Sequence, residues 1–520
     1  MPSLGIGSNE AKPLSALLLA GLVAFALAFA CGNESADQPS GPAGACEECM
    51  PRAGSGGWGG SADEPGGGSM GGSLGGTAGA AGSASSAESG AAGVAGDAMV
   101  PDNLEQRIDA AVESIRADTC FAGDDTSLCE WADYDVAPAR FDMAKSTGEA
   151  VLVIDDFGAG FNPGLVRYRN RLRGVYRVAG DELKTQAISA HLPKRLGDAL
   201  VSFAGPEFIA ASSLARVGTE ANATYRKLNL LYYGHGGLIF GHLVELVPEA
   251  PLVLLELAEL LALPPSVCAG INDATLAAAT SHFAAVAQSL KQIMTDEHVH
   301  FINASFGSTV PNLAIDWART CASATPNTDD LRRMLHMYDP IYDVLFDTDG
   351  VITAHAAADL GDPADYPFDQ LSASFPNRVR VGFISSRDSG LDELGRGVLQ
   401  QTQQLPGSGD ADVYVNWRCE AQGGSIPLCA EPHYEFAGPY GLGTGTVPIM
   451  STSYVNPLAV ARLANLRYGR HGNEPMTNAL VQTLRRELTP PVCGTSAAEP
   501  CRNQDPFVHR QLESYRLGYK

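Results

Sequence analysis

The chain has 520 residues, enough for one large domain or two ordinary ones, and its hydrophobic fraction of 45% allows a packed core and excludes disorder throughout. Basic residues number 35 against 59 acidic ones, a net charge of −24. That charge repels phosphate and excludes a general nucleic-acid binder. No stretch after the N-terminus is apolar for ~20 residues, so no internal membrane span is expected.

Lys12 precedes an apolar run from Ala16 to Ala30, followed by Cys31-Gly32-Asn33. A short apolar run that ends in small residues reads as a secretory signal over residues 1–30. Ala28-Phe29-Ala30 fits ordinary signal cleavage. The same residues before Cys31 also resemble a bacterial lipobox, with Ala28 where leucine is usual, and this would make Cys31 a lipidated N-terminus. Setting Cys31 aside leaves ten cysteines, which fall in chain order as Cys46/Cys49, Cys120/Cys129, Cys268/Cys321, Cys419/Cys429 and Cys493/Cys501. Nearest-neighbour disulfides are the simplest pairing in an exported chain, although spacing alone does not establish connectivity. Cys46-Glu47-Glu48-Cys49 has the spacing of half a metal site, but no second such motif accompanies it.

Residues 31–100 are rich in glycine, alanine and serine, and about a third of residues 51–100 are glycine. Such a segment has no apolar anchors to offset its ordering entropy and reads as a flexible tether. Residues 101–145 form a short cysteine-bearing segment. It opens with Asn103–Arg116, where Leu104, Ile108, Val112 and Ile115 recur at helical spacing.

Residues 146–490 alternate apolar strands with helical stretches, and 491–520 form a tail. Strands are expected at Ala150–Ile154, Leu252–Leu257, His300–Ala304, Val351–Ala358 and Val379–Ile384. Helices are expected at Asp273–Thr295, Thr328–Met337, Pro457–Leu466 and Met476–Leu488. That alternation predicts an α/β fold with a mostly parallel sheet. In such sheets the functional site lies beyond the carboxyl ends of the strands.

Three segments put catalytic residue types where such a site needs them. Val151–Ile154 is a buried-type strand ending on Asp155-Asp156, which would otherwise be loop acids or helix caps. Gly234-His235-Gly236-Gly237 sets a histidine among glycines at the start of an apolar stretch, where the alternative is a turn histidine. His242, seven residues on, reads as a packing or surface residue. Ser451-Thr452-Ser453-Tyr454-Val455-Asn456-Pro457 places a serine at a helix start, where backbone N–H groups favour developing negative charge. An ordinary Ser/Thr N-cap is the plain alternative. His298 and His300 read as strand-edge residues rather than metal ligands.

Together these segments resemble the subtilisin-like serine proteases, the subtilases, in the chain order Asp, His, Ser. Asp155-Asp156 looks like the kexin-type variant of the strand-end aspartate. Gly234–Gly241 is similar to G-H-G-T-H-V-A-G, with Leu238 in place of the second histidine. Val247–Leu252 resembles V-A-P-x-A-x-L. Ile302–Gly307 resembles I-N-x-S-L-G, and Phe375-Pro376 to Val381-Gly382 is similar to the Y-P to V-G-A segment. Thr452-Ser453 with Pro457 four residues after the serine matches the G-T-S-M-A-x-P signature, with Ser451 replacing its first glycine. Met476–Leu488 looks like the helix that follows.

The resemblance implies a subtilisin-like three-layer fold and a serine endopeptidase acting on polypeptides. Ser453 would be the nucleophile, His235 the base and Asp155 its orienting carboxylate, with Ser305, Phe306 and Gly307 lining the substrate cleft. No cofactor is implied. Calcium is common in the family, but no segment here marks a site. The expected location is outside the cytoplasm, with membrane contact only through a lipid on Cys31.

The departures are informative. The family's oxyanion asparagine aligns with Asp359 in His355–Gly361. An ionised carboxylate repels an oxyanion, and only a protonated one donates a hydrogen bond. Phe157 and Ser451 stand for glycines, residues 101–145 are short for a folded propeptide, and residues about 165–225 read as an insertion. Within it Arg167, Arg169, Arg171 and Arg173 alternate like a solvated strand face or a substrate-docking strip. These departures keep a second reading open, a catalytically inactive subtilase fold with a binding or structural role. An α/β-hydrolase reading of Gly234–Gly237 fails for want of a G-x-S-x-G elbow outside the tether.

Overall fold

The computed structural model describes residues 103–121, 128–136, 148–157, 163–205, 208–225, 228, 235–321, 323–357, 362–369, 375–386, 402–403, 411–417, 421–422, 428–429, 435–438, 440–446, 452–488, 491–492 and 502–503. The signal segment, Cys31, the tether and Asp359 lie outside these residues.

Among the described residues the centre is a nine-stranded sheet. The strands that matter are β1 (Trp131–Val136), β2 (Ala150–Asp155), β3 (Leu172–Ala179), β4 (Glu182–Thr185), β5 (Ile188–Pro193), β6 (Leu252–Glu256), β7 (Val299–Ala304), β8 (Ile352–Ala356), β9 (Arg378–Ser386), β10 (Thr402–Gln403) and β11 (Val413–Trp417). The order across the sheet is β10-β9-β8-β7-β2-β6-β3-β4, with β11 also paired to β9. The pairs from β9 through β8, β7, β2 and β6 to β3 are parallel, as is β11 with β9, whereas β4 and β10 run antiparallel at the two ends.

Helices of eight residues or more among the described residues are α1 (Leu104–Arg116), α2 (Lys194–Ser202), α3 (Ala215–Thr224), α4 (His235–Leu246), α5 (Asp273–Asp296), α6 (Val310–Thr320), α7 (Thr328–Leu335), α8 (Asp339–Asp347), α9 (Thr452–Arg470) and α10 (Asn478–Leu488).

Strand β2 shows why the sheet carries helices on both faces. All six of its residues are buried, as a central parallel strand requires. Val151 and Val153 join the core containing Phe240 of α4 and Leu458 of α9. Ala150, Leu152 and Ile154 join the core containing Phe283 of α5 and Phe346 of α8. The period of two thus distributes one apolar run between two layers. The fold is therefore a three-layer α/β arrangement with a mostly parallel sheet.

The expected elements recur with shifted ends. Helix α5 starts at the capping box of Asn272 and Thr275, which satisfies first-turn N–H groups. Strand β6 stops at Glu256, because its side chain accepts from the Ala258 N–H and begins a short helix at Leu257. Helix α9 starts at Thr452, earlier than expected, and carries Pro457 inside it. Disulfides join Cys120 to Cys129 and Cys268 to Cys321. The other three nearest-neighbour pairs fall wholly or partly outside the described residues.

The arginine stripe is a correction. Arg167 ends a short helix and Arg169–Arg171 form a 3-10 turn, so there is no strand face there. Arg167 and Arg171 are buried. Arg167 donates to the carbonyls of Gly441 and Ile209, and Arg171 donates to that of Pro248 at 2.6 Å. Arg173 donates to the carbonyls of Gly148 (2.8 Å) and Glu297 (2.7 Å). Backbone carbonyls distant in sequence accept from these buried guanidinium groups and offset part of the cost of burying them. These side chains tie residues 165–225 to the rest of the fold.

The cysteine-bearing N-terminal segment packs on the same stretch. Strand β1 pairs antiparallel with β5. Arg216 of α3 bonds Glu105 (3.2 Å) and Asp109 (2.6 Å) of α1. The buried stripe Leu104, Ile108, Ala111, Val112 and Ile115 of α1 joins the same apolar core as Leu196, Leu200, Val217 and Ala221. Exposed ion pairs add little, so the stripe carries this contact.

Candidate active site

Asp155 is the last residue of β2 and is buried, 2% exposed. Its Oδ1 accepts from the Asp156 N–H at 2.8 Å and faces His235 Nδ1 at 2.6 Å. A carboxylate acceptor at Nδ1 holds the proton on that nitrogen and leaves Nε2 with its lone pair. Oδ2 of Asp155 has no hydrogen-bond donor among the described residues.

His235 is the first residue of α4, and the residue behind it explains how it comes so close. The Gly236 N–H donates to the Asp156 carbonyl at 2.8 Å. A Cβ on Gly236 would lie 2.9 Å from that oxygen, 2.9 Å from the Phe157 ring and 3.0 Å from Asp155 Cβ. Only glycine lets the helix start sit against the strand end. The His235 side chain is 33% exposed, so one edge of the ring stays open. Burial opposes its positive form, but the charge and hydrogen bond of Asp155, with Asp156 behind, outweigh this and raise its pKa above the usual histidine value.

Ser453 is the second residue of α9 and half-buried. The ring of the next residue, Tyr454, lies 5.3 Å from the imidazole of His235. Ser453 Oγ is 3.5 Å from the Ser305 carbonyl, and Ser305 Oγ donates to the Ser453 carbonyl at 3.2 Å. The half-buried run Ser305, Phe306 and Gly307 leaves the carboxyl end of β7. Asp155, His235, Ser453 and this run therefore gather on the carboxyl side of the central strands, as open parallel sheets favour.

Two site neighbours were not singled out from sequence. Glu256 ends β6 directly beside Asp155 in register. Its Oε2 accepts from the Phe157 N–H at 3.3 Å and its Oε1 from the Ala258 N–H at 3.3 Å. Burial, with the charges of Asp156 and Asp155, pushes its carboxyl up to about 7. The pairing of β2 with β6 makes this juxtaposition, so only the strand order could have revealed it.

His355, at the end of β8, is fully buried, and its Nε2 meets the Phe306 carbonyl at 2.7 Å. Burial and the nearby Arg378 and Arg380 lower its pKa to about 3. It is therefore a neutral ring that donates to the run leaving β7. Asp359 follows two residues beyond Ala357, whose N–H is held by the Val381 carbonyl at 2.8 Å.

Among the described residues no group of three or more His, Cys, Asp or Glu side chains is arranged to hold a metal. His242 lies in the core, where burial lowers its pKa to about 3. His300 Nδ1 meets the Gly350 carbonyl at 2.8 Å. No helix among the described residues is long and apolar enough to cross a membrane.

No protein-family model and no curated protein sequence matches the chain. Among solved structures it is similar to Pseudomonas sedolisin, a serine-carboxyl proteinase determined with two molecules of pseudo-iodotyrostatin. The identity is 12% and the TM-score 0.31, over 72% of this chain and 93% of that one.

Proposed function

We propose that the chain is an exported serine endopeptidase of the subtilisin-like kind, hydrolysing polypeptides through Asp155, His235 and Ser453. The observation that carries this reading is the 2.6 Å contact between His235 Nδ1 and the buried carboxylate of Asp155. It lies at the strand ends, beside the residue that follows Ser453. Ser453 Oγ attacks the scissile carbonyl as its proton passes to His235 Nε2. The resulting imidazolium is stabilised by Asp155 and returns the proton to the leaving amine, and water then cleaves the acyl-enzyme by the same route. The half-buried Ser305, Phe306 and Gly307 offer backbone groups to an extended peptide. A fluorophosphonate probe is expected to label Ser453, with Ser453→Ala abolishing the label in intact-mass and peptide analysis. Labelling at Ser305 or Ser451, or no labelling, would sink the assignment.

A second reading, an inactive fold with a binding role, is favoured by one feature of the sequence, an aspartate at position 359 where the resemblance to the subtilases expects an oxyanion-donating asparagine. The same probe separates the two.

The apolar run before Cys31 and the tether after it support export with a lipid on Cys31, which holds the folded part at a membrane surface. Labelled palmitate is expected in the mature protein and to vanish with Cys31→Ala. An unlipidated product would instead show ordinary cleavage after Ala30.

A further inference from the structure

We infer that Asn456 and Asn303 are positioning residues for Ser453, acting through the hydroxyl of Ser305; the inference rests on Ser453 being the nucleophile. It begins from a gap in helix α9. In an α-helix the carbonyl of residue 453 accepts from the N–H of residue 457. That residue is Pro457, which has no N–H. The Ser453 carbonyl therefore loses its helical donor, and Ser305 Oγ takes that place at 3.2 Å.

The hydroxyl is not at liberty to turn away. Asn303 Nδ2 donates to Ser305 Oγ at 2.9 Å, so the hydroxyl oxygen is already an acceptor and its single proton goes to Ser453. Asn303 in turn is oriented by Asn456, whose Nδ2 donates to Asn303 Oδ1 at 3.1 Å and to the Ala354 carbonyl at 3.0 Å. Both of those partners are acceptors, so the Asn456 amide fits only with its nitrogen toward them. Asn303 and Asn456 are fully buried. Turning either amide would leave polar groups unpaired in the core, which is costly.

The direction of every hydrogen bond in the chain is thereby set. The chain leaves α9 at Asn456, crosses β7 and its exit run, and returns to α9 three residues earlier at Ser453. The bond to Ala354 fastens the same amide to β8. The nucleophile, the run that leaves β7 and the end of β8 thus share one reference point. A displacement of about 1 Å at a reacting atom costs about 10²-fold in rate, and this relay prevents such a displacement.

The test uses Ser305→Ala, Asn456→Ala and the double variant, with the rate of fluorophosphonate inactivation and the split between kcat and KM as readouts. Ser305→Ala removes only a half-buried hydroxyl and leaves the cleft backbone, so it serves where Asn456→Ala fails to fold. Each single variant is expected to lose about 10–100-fold in kcat and in inactivation rate, with KM changed less than about twofold because ground-state binding is untouched. The double variant is expected to be no slower than the slower single one, since both cut the same chain. Ser305→Thr restores the hydroxyl and should recover most of the rate. A merely structural role would lower the melting temperature and leave the inactivation rate of the folded variants unchanged. Unchanged rates, multiplying losses in the double variant, or no recovery with Ser305→Thr would overturn the relay alone. A wild-type protein that the probe does not label would overturn the protease reading and the relay with it.

Discussion

His235→Ala is expected to lower kcat on a peptide substrate by about 10⁴–10⁶-fold, leaving residual turnover from binding and the oxyanion environment. The same substitution gives a stability signature whose sign follows from the geometry. The pKa of His235 is raised in the folded chain, because the Asp155 contact at 2.6 Å and the charge of Asp156 outweigh burial. A raised histidine pKa contributes stability that is fully present below the unfolded value near 6.5 and is lost as pH rises through the folded value. His235→Ala should therefore lower the melting temperature more at pH 5.5 than well above neutrality. Catalysis has the opposite demand, because only the neutral ring accepts a proton from Ser453. The acid limb of the wild-type pH–rate profile should accordingly lie above the ordinary histidine pKa. A melting-temperature loss that does not depend on pH would show that the contact with Asp155 is not an ion pair in solution.

The parts of this site legible in the sequence are those encoded locally. A short, mostly β-branched apolar run such as Val151–Ile154 reads as a buried strand, and the carboxylate after it then falls at the strand's carboxyl end. Gly236 beside His235 announces a close approach, and the approach is to Asp155 and Asp156. Residues whose surroundings are assembled from distant segments were not legible. The alternation of Arg167, Arg169, Arg171 and Arg173 mimics a strand face, yet carbonyls at Gly441, Ile209 and Pro248 bury two of them. Glu256 is an unremarkable end to a leucine run until the pairing of β6 with β2 sets it beside Asp155. Pro457 lies between these cases. The expected helix opens at this residue, which suits a first turn. The helix instead begins at Thr452 and tolerates the proline, because Ser305 supplies a donor to the Ser453 carbonyl. The residue that shortened the expected helix is the one that opens Ser453 to the relay.

Asp359→Asn is expected to raise kcat at neutral pH by about 10²–10³-fold, the value of one oxyanion-hole donor. The proposed reading puts Asp359 in the place of the subtilases' oxyanion asparagine. A carboxyl donates a hydrogen bond only while protonated, and the ionised form opposes the charge that develops on the attacked carbonyl. Activity that needs this proton falls as pH rises through the pKa of Asp359. Activity that needs a neutral His235 rises with pH, through a pKa that Asp155 and Asp156 have raised. The two requirements pull apart, so the wild-type profile should be a bell that stays low even at its peak. Its two limbs are properties of the coupled pair of groups rather than of either alone. An asparagine amide donates at every pH. The variant should therefore lose the need for the Asp359 proton, keep the limb set by His235, and hold a plateau above the raised pKa of that ring. Profiles of kcat for both forms on one peptide substrate measure this directly. A variant profile that superimposes on the wild type places Asp359 away from the oxyanion. A variant that is slower at every pH shows instead that the carboxyl itself takes part in proton transfer, which an amide cannot do.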